Sequence, residues 1–354
     1  LTAPIRIGVL RLVDSAPVVV AAARGLFANL DIEARISVEP SWANIADKLA
    51  YGLMDAAVML PPLVLAAAIG LRGSPAPVAV PMGLTQGGNS IVFGVDTGLN
   101  RGASAPHLLD WLRAQPCPPR LAVVHRYSTH NLLLRYWLAR AGADPDRDVQ
   151  TVVVPPAAVV SELAERRIAG FCAGAPWGEV AEQRGAGRIV AGTSSVWPSH
   201  PEKCLAVNTH WADMAPDALH RLIQALLRAQ RLCDDPVEAD AVAAMLVDPA
   251  WLSLPNGPTR MALPGGSGVE RVRFHAGEVW YPAHAHALWF LGQMRRWGWL
   301  PDALDLAAVA RAVYRPDLLA RPVEQEGLYA AKCVLRLEGS AMLPAPDDSA
   351  FSPA

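Results

Sequence analysis

Short β-branched runs alternate with helical runs from residue 5 to residue 190, and this alternation restricts the chain to an α/β architecture. The spacing predicts strands over 5–10, 32–38, 56–59 and 78–80, with helices over 17–23, 42–51 and 61–69 between them. Ser41 reads as the cap of the second helix and Gly52 as its stop. A second series follows. Strands are predicted over 90–95, 121–124, 149–154, 168–172 and 188–190. Helices lie between them over 106–114, from Ser128 to Gly142, and over 157–166 and 176–183. The order implies mainly parallel sheets covered by helices, in two lobes. The chain enters the second lobe near Thr85 and leaves it near Ser194. Residues 1–84 plus 195–316 are therefore expected to form a discontinuous lobe I, and residues 85–194 lobe II. Beyond 194 the pattern reads as mostly helical, over 216–233, 237–246, 284–297 and 304–313. Residues 317–354 read as a C-terminal extension that is loose in its final stretch, PAPDDSAFSPA.

Composition removes several functional classes. With 354 residues, 52% apolar, the chain can bury a large core. Its formal net charge is -2 and its basic residues form no stripe, which argues against direct nucleic-acid binding. No apolar run reaches the ~18 residues of a membrane span. The nearest, from Val58 to Gly70, is broken by Pro61 and Pro62. The five cysteines, Cys117, Cys172, Cys204, Cys233 and Cys333, show no CxxC spacing and read as buried reduced thiols. No nucleophile–His–acid set, phosphate-binding glycine loop or dinucleotide fingerprint occurs, so neither an enzyme nor a cofactor is expected. His284 and His286 stand two apart at a helix start, where side chains diverge, so they do not read as metal ligands. Leu288, Phe290, Leu291, Met294 and Trp297 read as a core stripe. Asp14 with Ser15 reads first as a cap for the helix at Pro17 and second as a cleft residue.

Three residues carry the functional signal. His130 opens a helix, Gly174 precedes a predicted helix start, and Lys203 brings an ammonium. Helix N-termini and a cation are the parts a protein uses to hold a small anion. In sheets of this kind ligands bind beyond the carboxyl ends of strands, where His130, Gly174 and Trp42 all fall.

The motifs around these residues have a family likeness. They are VDSAPVVVAAARGLF from Val13, SWANIADK from Ser41, HNLLLRYWLA from His130 and GFCAGAPW from Gly170. WPSHPEK from Trp197, HALWFLGQM from His286 and VYRPD from Val313 complete the set. In this order they resemble the NrtA/CmpA family of nitrate- and bicarbonate-binding proteins, and within it the cytoplasmic NasS-type nitrate/nitrite sensors. The resemblance implies a two-lobed, type II periplasmic-binding-protein-like fold with a hinged interlobe cleft. It also implies a ligand site of Trp42, Asn89, His130, Gly174 and Lys203, with Asn89 standing where the family carries glutamine. Nitrate is planar and singly charged, and it needs in-plane N–H donors, a cation and a water-excluding face. The backbone of Gly174, His130 and Asn89 can supply donors, Lys203 the charge, and Trp42 the face. Ala175 departs from the family, which carries glutamate there and uses an acidic residue nearby to support calcium in its bicarbonate-binding members. A calcium-assisted bicarbonate site is therefore not expected.

The resemblance yields two functional expectations. The first is a cytoplasmic anion sensor whose partner is a NasT-type RNA-binding antiterminator. The alternative is the solute-binding component of an ABC importer, with a permease as partner. No leader segment is read at the N-terminus, and the thiols read as reduced, so a cytoplasmic setting is expected. A periplasmic setting follows if a signal peptide has been removed.

Overall fold

The computed structural model describes residues 3–328. Its strands are β1 (Ile5–Val9), β2 (Ala34–Val38), β3 (Ala56–Met59), β4 (Val78–Gly87), β5 (Asn89–Gly94) and β6 (Arg120–Val123). They continue with β7 (Gln150–Val153), β8 (Gly170–Gly174), β9 (Gly187–Gly192), β10 (Pro201–Asn208) and β11 (Val272–Arg273). Two sheets result, ordered β11-β4-β10-β3-β1-β2 and β7-β6-β8-β5-β9.

Both sheets are mixed, where the sequence suggested mainly parallel ones. Strand β1 runs parallel to β2 and β3, and β6 runs parallel to β7 and β8. Strand β10 is antiparallel to β3 and β4, and β5 is antiparallel to β8 and β9. Strand β11 is antiparallel to β4 at the edge of the first sheet, and the two exceptions inside the sheets have one cause. Strands β5 and β10 are where the chain enters a sheet from the junction between the sheets, so they run away from it. The strands beside them run toward it. Gly87 and Gly88, at φ 68° and 80°, make the first crossing. A Cβ on Gly88 would lie 2.5 Å from Val272 Cγ2, so the backbone passes too close for a side chain.

Strand β10 corrects the expectation of a mostly helical region after residue 194. It is eight residues long, lies inside the first sheet between β3 and β4, and is buried along nearly its whole length. A strand covered on both faces has no polar alternation to betray it. Strand β4 likewise continues seven residues past the predicted 78–80 run.

Helices cover both sheets. The Ala16–Ala23 helix packs on the long Pro216–Asp234 helix, and Val18, Val19, Leu222, Ile223 and Leu226 share one apolar cluster. A second cluster spans both sheets, joining Leu60, Leu63 and Trp42 to Val124, Leu132, Phe171 and Trp197. Burial of each such side chain contributes roughly 1.5–3 kcal/mol. This shared core fixes the facing edges of the sheets, where the candidate site lies. The His284–Arg296 helix closes over it, with the Trp289 ring tilted against Trp197 at 4.4 Å between centroids.

Several smaller expectations change. Leu288 is half-exposed rather than core, while Phe290, Leu291 and Met294 are buried. Cys117 is exposed, whereas Cys172, Cys204 and Cys233 are buried free thiols. His284 Nε2 lies 3.0 Å from the Tyr314 carbonyl, and His286 stands edge-on to Trp197. The chain after residue 317 includes a helix, Ala320–Gln325. Cys333 and the final stretch expected to be loose lie outside the described residues. Among the described residues no helix is long and apolar enough to cross a membrane.

Candidate functional site

Two helix starts point at the junction between the sheets. Ser41 Oγ accepts from Asn44 N at 3.2 Å and opens the Trp42–Ala50 helix, placing Trp42 in its first turn. Ser128 Oγ accepts from Asn131 N at 3.1 Å and opens the Thr129–Arg140 helix, placing His130 in its first turn. Strands β5 and β8 bring Asn89 and Gly174 opposite each other in register. Lys203 comes from β10, across the junction.

The structure brings all five predicted residues together. Lys203 Nζ stands 5.6 Å from the centre of the Trp42 ring. A Cβ on Gly174 would lie 3.4 Å from Asn89 Oδ1, 3.6 Å from His130 Nε2 and 3.2 Å from Asp14 Oδ2. Gly174 therefore keeps a small space open among polar atoms. Trp42 Nε1, both ring nitrogens of His130, Asn89 Oδ1 and Asp14 Oδ2 are buried without a hydrogen-bond partner in the protein. Orphaned buried polar atoms are costly, on the order of 1–3 kcal/mol each, and several in one place mark a site built for a ligand.

Two acids belong to this cluster: Asp14, for which the cleft was the second of two sequence readings, and Glu202, which sequence reasoning did not assign to the site. Asp14 does not cap the Ala16–Ala23 helix, which has no side-chain cap. Its Oδ1 accepts from Thr85 Oγ1 at 2.7 Å, and its Oδ2 lies 3.5 Å from Lys203 Nζ. Glu202 Oε1 accepts from Lys203 Nζ at 2.6 Å, and Glu202 Oε2 accepts from Asn89 Nδ2 at 2.6 Å. Neighbours in a regular strand face opposite ways. Here the β10–β4 register shifts on both sides of Lys203, and this irregularity turns Glu202 and Lys203 to the same place. The Pro-Glu-Lys triplet was visible in the sequence, but the bulge was not.

Burial governs the charges. Desolvation lowers Lys203, but Asp14 and Glu202 outweigh it and the ammonium is held above its ordinary value. Burial pushes Glu202 up to about 7, opposed by Lys203 and reinforced by Asp14. His130 falls well below the ordinary imidazole value through burial, then through Lys203 and His200. Its 3.4 Å approach to Glu202 Oε1 is thus a contact of a neutral ring and not an ion pair. His200, lowered to about 3 mainly by burial, is neutral as well.

Ala175 adds no oxygen ligand. Its N–H donates to the Gly88 carbonyl at 2.8 Å, its carbonyl accepts from Val13 N at 3.1 Å, and its methyl group joins an apolar cluster. Two surface cavities, of about 290 and 510 Å³, lie elsewhere, one beside Trp137 and Arg140 and the other beside Arg135 and Asp146; neither includes a residue of this cluster.

Two α/β lobes with a buried polar cluster at their junction define a solute-binding protein of the periplasmic-binding type. Residues 2–247 match the NMT1-like family, and the chain belongs to that family and to its NrtA-type branch. It is 30% identical over 336 residues to the nitrate/nitrite binding protein NrtA of Synechococcus elongatus, covering 89% of this chain and 76% of that one. The crystal structure of the periplasmic nitrate-binding protein NrtA from Synechocystis PCC 6803 superposes with a TM-score of 0.87 at 27% identity, covering 93% of this chain and 90% of that one. The bicarbonate transport ATP-binding protein CmpC of Synechococcus elongatus is 32% identical over 332 residues, covering 92% of this chain. The chain spans about half the length of that relative, 50%. In keeping with its family, the chain is a binding protein and not an enzyme.

Proposed function

We propose that this chain binds nitrate, nitrite or a similar small oxyanion between its lobes, as the solute-binding component of an ABC-type importer. The observation that carries the reading is the convergence of Trp42, Asn89, His130 and Gly174 on one buried ammonium, Lys203. Lys203 and Trp42 come from elements of the first sheet, and Asn89, His130 and Gly174 from those of the second. An anion held from both sides favours the closed arrangement of the lobes, and closure is the form an importer reads. Each charge-assisted hydrogen bond contributes roughly 1.5–3 kcal/mol.

Relatives named for nitrate and bicarbonate import support the importer over the sensor reading. The NasS likeness and a NasT-type antiterminator partner rest on the sequence resemblance alone. The partners proposed are a permease and its ATPase, and the setting proposed is the outer face of the cytoplasmic membrane. Calorimetric titration with nitrate, nitrite and bicarbonate tests the reading. Saturable binding of nitrate or nitrite supports it, and binding of none of the three at millimolar concentration refutes it.

A further inference from the structure

The cluster contains an acid that a site for anions does not need. Lys203 is faced by two carboxyl groups, Asp14 at 3.5 Å and Glu202 at 2.6 Å, so its charge is already more than matched. An incoming anion would meet a net negative cluster with almost no solvent to screen it. Glu202 also holds the donors an anion requires. Its two oxygens occupy Lys203 Nζ and Asn89 Nδ2, both at 2.6 Å. A carboxylate and nitrate are both planar oxygen acceptors, so the Glu202 side chain imitates the ligand from inside the protein.

The hydrogen-bond chain around Glu202 offers a place for a proton. Thr193 Oγ1 donates to the Asn89 carbonyl at 3.1 Å, which leaves its lone pair to accept from His200 Nε2 at 2.8 Å. With the proton of the neutral ring on Nε2, Nδ1 is an acceptor. That Nδ1 lies 3.5 Å from both the Pro201 carbonyl and Glu202 Oε2, so it faces acceptors on both sides, and one carboxyl proton would bridge the gap to Glu202. The other groups around Glu202 do not compete for it. His130 is neutral, Lys203 stays charged, and burial pushes the Cys172 thiol well up, leaving it protonated. Asp14 Oδ1 already accepts from Thr85, and its Oδ2 lies 3.5 Å from the Lys203 ammonium.

We infer that Glu202 sets the selectivity of the site by binding a proton together with the anion: protonation releases Lys203 and Asn89, which the anion then engages. This deepens the oxyanion reading above and rests on it. The proton comes from solvent and adds to a Glu202 oxygen. No covalent bond of the ligand changes, and the protonated carboxyl can donate to His200 Nδ1 or to the anion. Burial, which raises Glu202 to about 7, puts this uptake within the neutral range. A buried carboxyl beside a newly bound anion is raised further, so binding draws in a proton.

Calorimetry of nitrate binding in two buffers of different ionisation enthalpy tests the inference on the unmodified protein. At pH 8 about one proton should be taken up per nitrate, and affinity should fall about tenfold per pH unit above that. Glu202→Gln should bind nitrate with little pH dependence and no proton uptake, whereas Asp14→Asn should retain both. Nitrate binding without proton uptake in the wild-type protein overturns the inference and leaves the oxyanion reading standing. Transfer of the pH dependence to Asp14 overturns the assignment to Glu202. Failure of nitrate, nitrite and bicarbonate to bind at any pH removes both readings together.

Discussion

Glu202 and Lys203 are consecutive residues of one strand, yet their side chains meet in a 2.6 Å ion pair with neither exposed to solvent. Regular pleating would send them to opposite faces of the sheet. The register shifts around Lys203 are what make the pair possible. The same irregularity lets one short segment serve both lobes: Lys203 faces Asp14 and Trp42, while Glu202 reaches Asn89 and His130.

Lys203→Met should lose anion binding and destabilise the fold. It leaves Asp14 and Glu202 buried without a cation, and breaking such a network from one side costs about 3–5 kcal/mol. Chemical denaturation at pH 8 measures the loss. A change below about 1 kcal/mol would mean that the buried pair is not the organising contact described.

Gly174→Ala separates binding from stability. The added methyl would sit 3.2–3.6 Å from Asp14 Oδ2, Asn89 Oδ1 and His130 Nε2. Side-chain shifts of a few tenths of an ångström accommodate it, so stability should change by about 1 kcal/mol or less. It fills the space kept for ligand, and nitrate affinity should fall about tenfold or more. Unchanged affinity would remove Gly174 from the site.

Glu179 offers a pH-dependent gain. It lies in the Trp177–Gln183 helix, with Oε1 buried and unpartnered. Burial raises it from 4.5 to about 7. The folded state therefore holds its proton more tightly than the unfolded chain. The penalty is absent below the unfolded value, grows between about 4.5 and 7, and is constant above. Glu179→Gln should stabilise the protein by on the order of 2–3 kcal/mol at pH 8 and scarcely at all at pH 4.5. Equal gains at both pH values would contradict the burial argument.

The histidines set the acid limit. Burial is the first cause of lowering in the four most deeply buried: His125 and His286 to about 4, His200 to about 3, and His130 well below 6.5. A lowered imidazole takes up its proton in the unfolded chain first, so stability is full above 6.5 and is lost as pH falls toward the folded values. Glu202 and Glu179 act in the opposite direction between 4.5 and 7 and offset part of the slope. A net difference of about two protons removes roughly 3 kcal/mol per pH unit. Against a total stability of about 5–15 kcal/mol, unfolding should set in within two to three units below 6.5. Circular dichroism at equilibrium from pH 7 to pH 3 would record it, and a flat profile down to about pH 3.5 would contradict it.

The α/β alternation and the helix cap at Ser41 were legible in the sequence because each carries a local signal, whereas the set of five residues gathered at the junction was legible through the family resemblance. Caps declare themselves by a hydroxyl before an apolar run, and Ser41 accepts the expected backbone N–H, as Ser128 does at the start of the His130 helix. What sequence reasoning missed depended on long-range pairing. Strand β10 is buried on both faces and begins at Pro201, three residues after Pro198, so nothing local separates it from a loop. Asp14 stands where a helix cap would stand, so its cleft reading came second, and contact with Thr85, 71 residues away, decides for the site. Glu202 required a bulge that no pattern of residue types announces.

The central claim, that Lys203 and the groups around it hold a small oxyanion, is tested most directly by titrating nitrate into the wild-type protein and into His130→Ala by calorimetry at pH 6.5. His130 is neutral and buried, with both ring nitrogens unpartnered in the protein. Its loss should remove a donor without removing charge. Saturable binding to the wild-type protein, weakened about tenfold or more in the variant while the variant still folds, is the predicted result. Nitrate binding of equal affinity in both proteins would contradict the account.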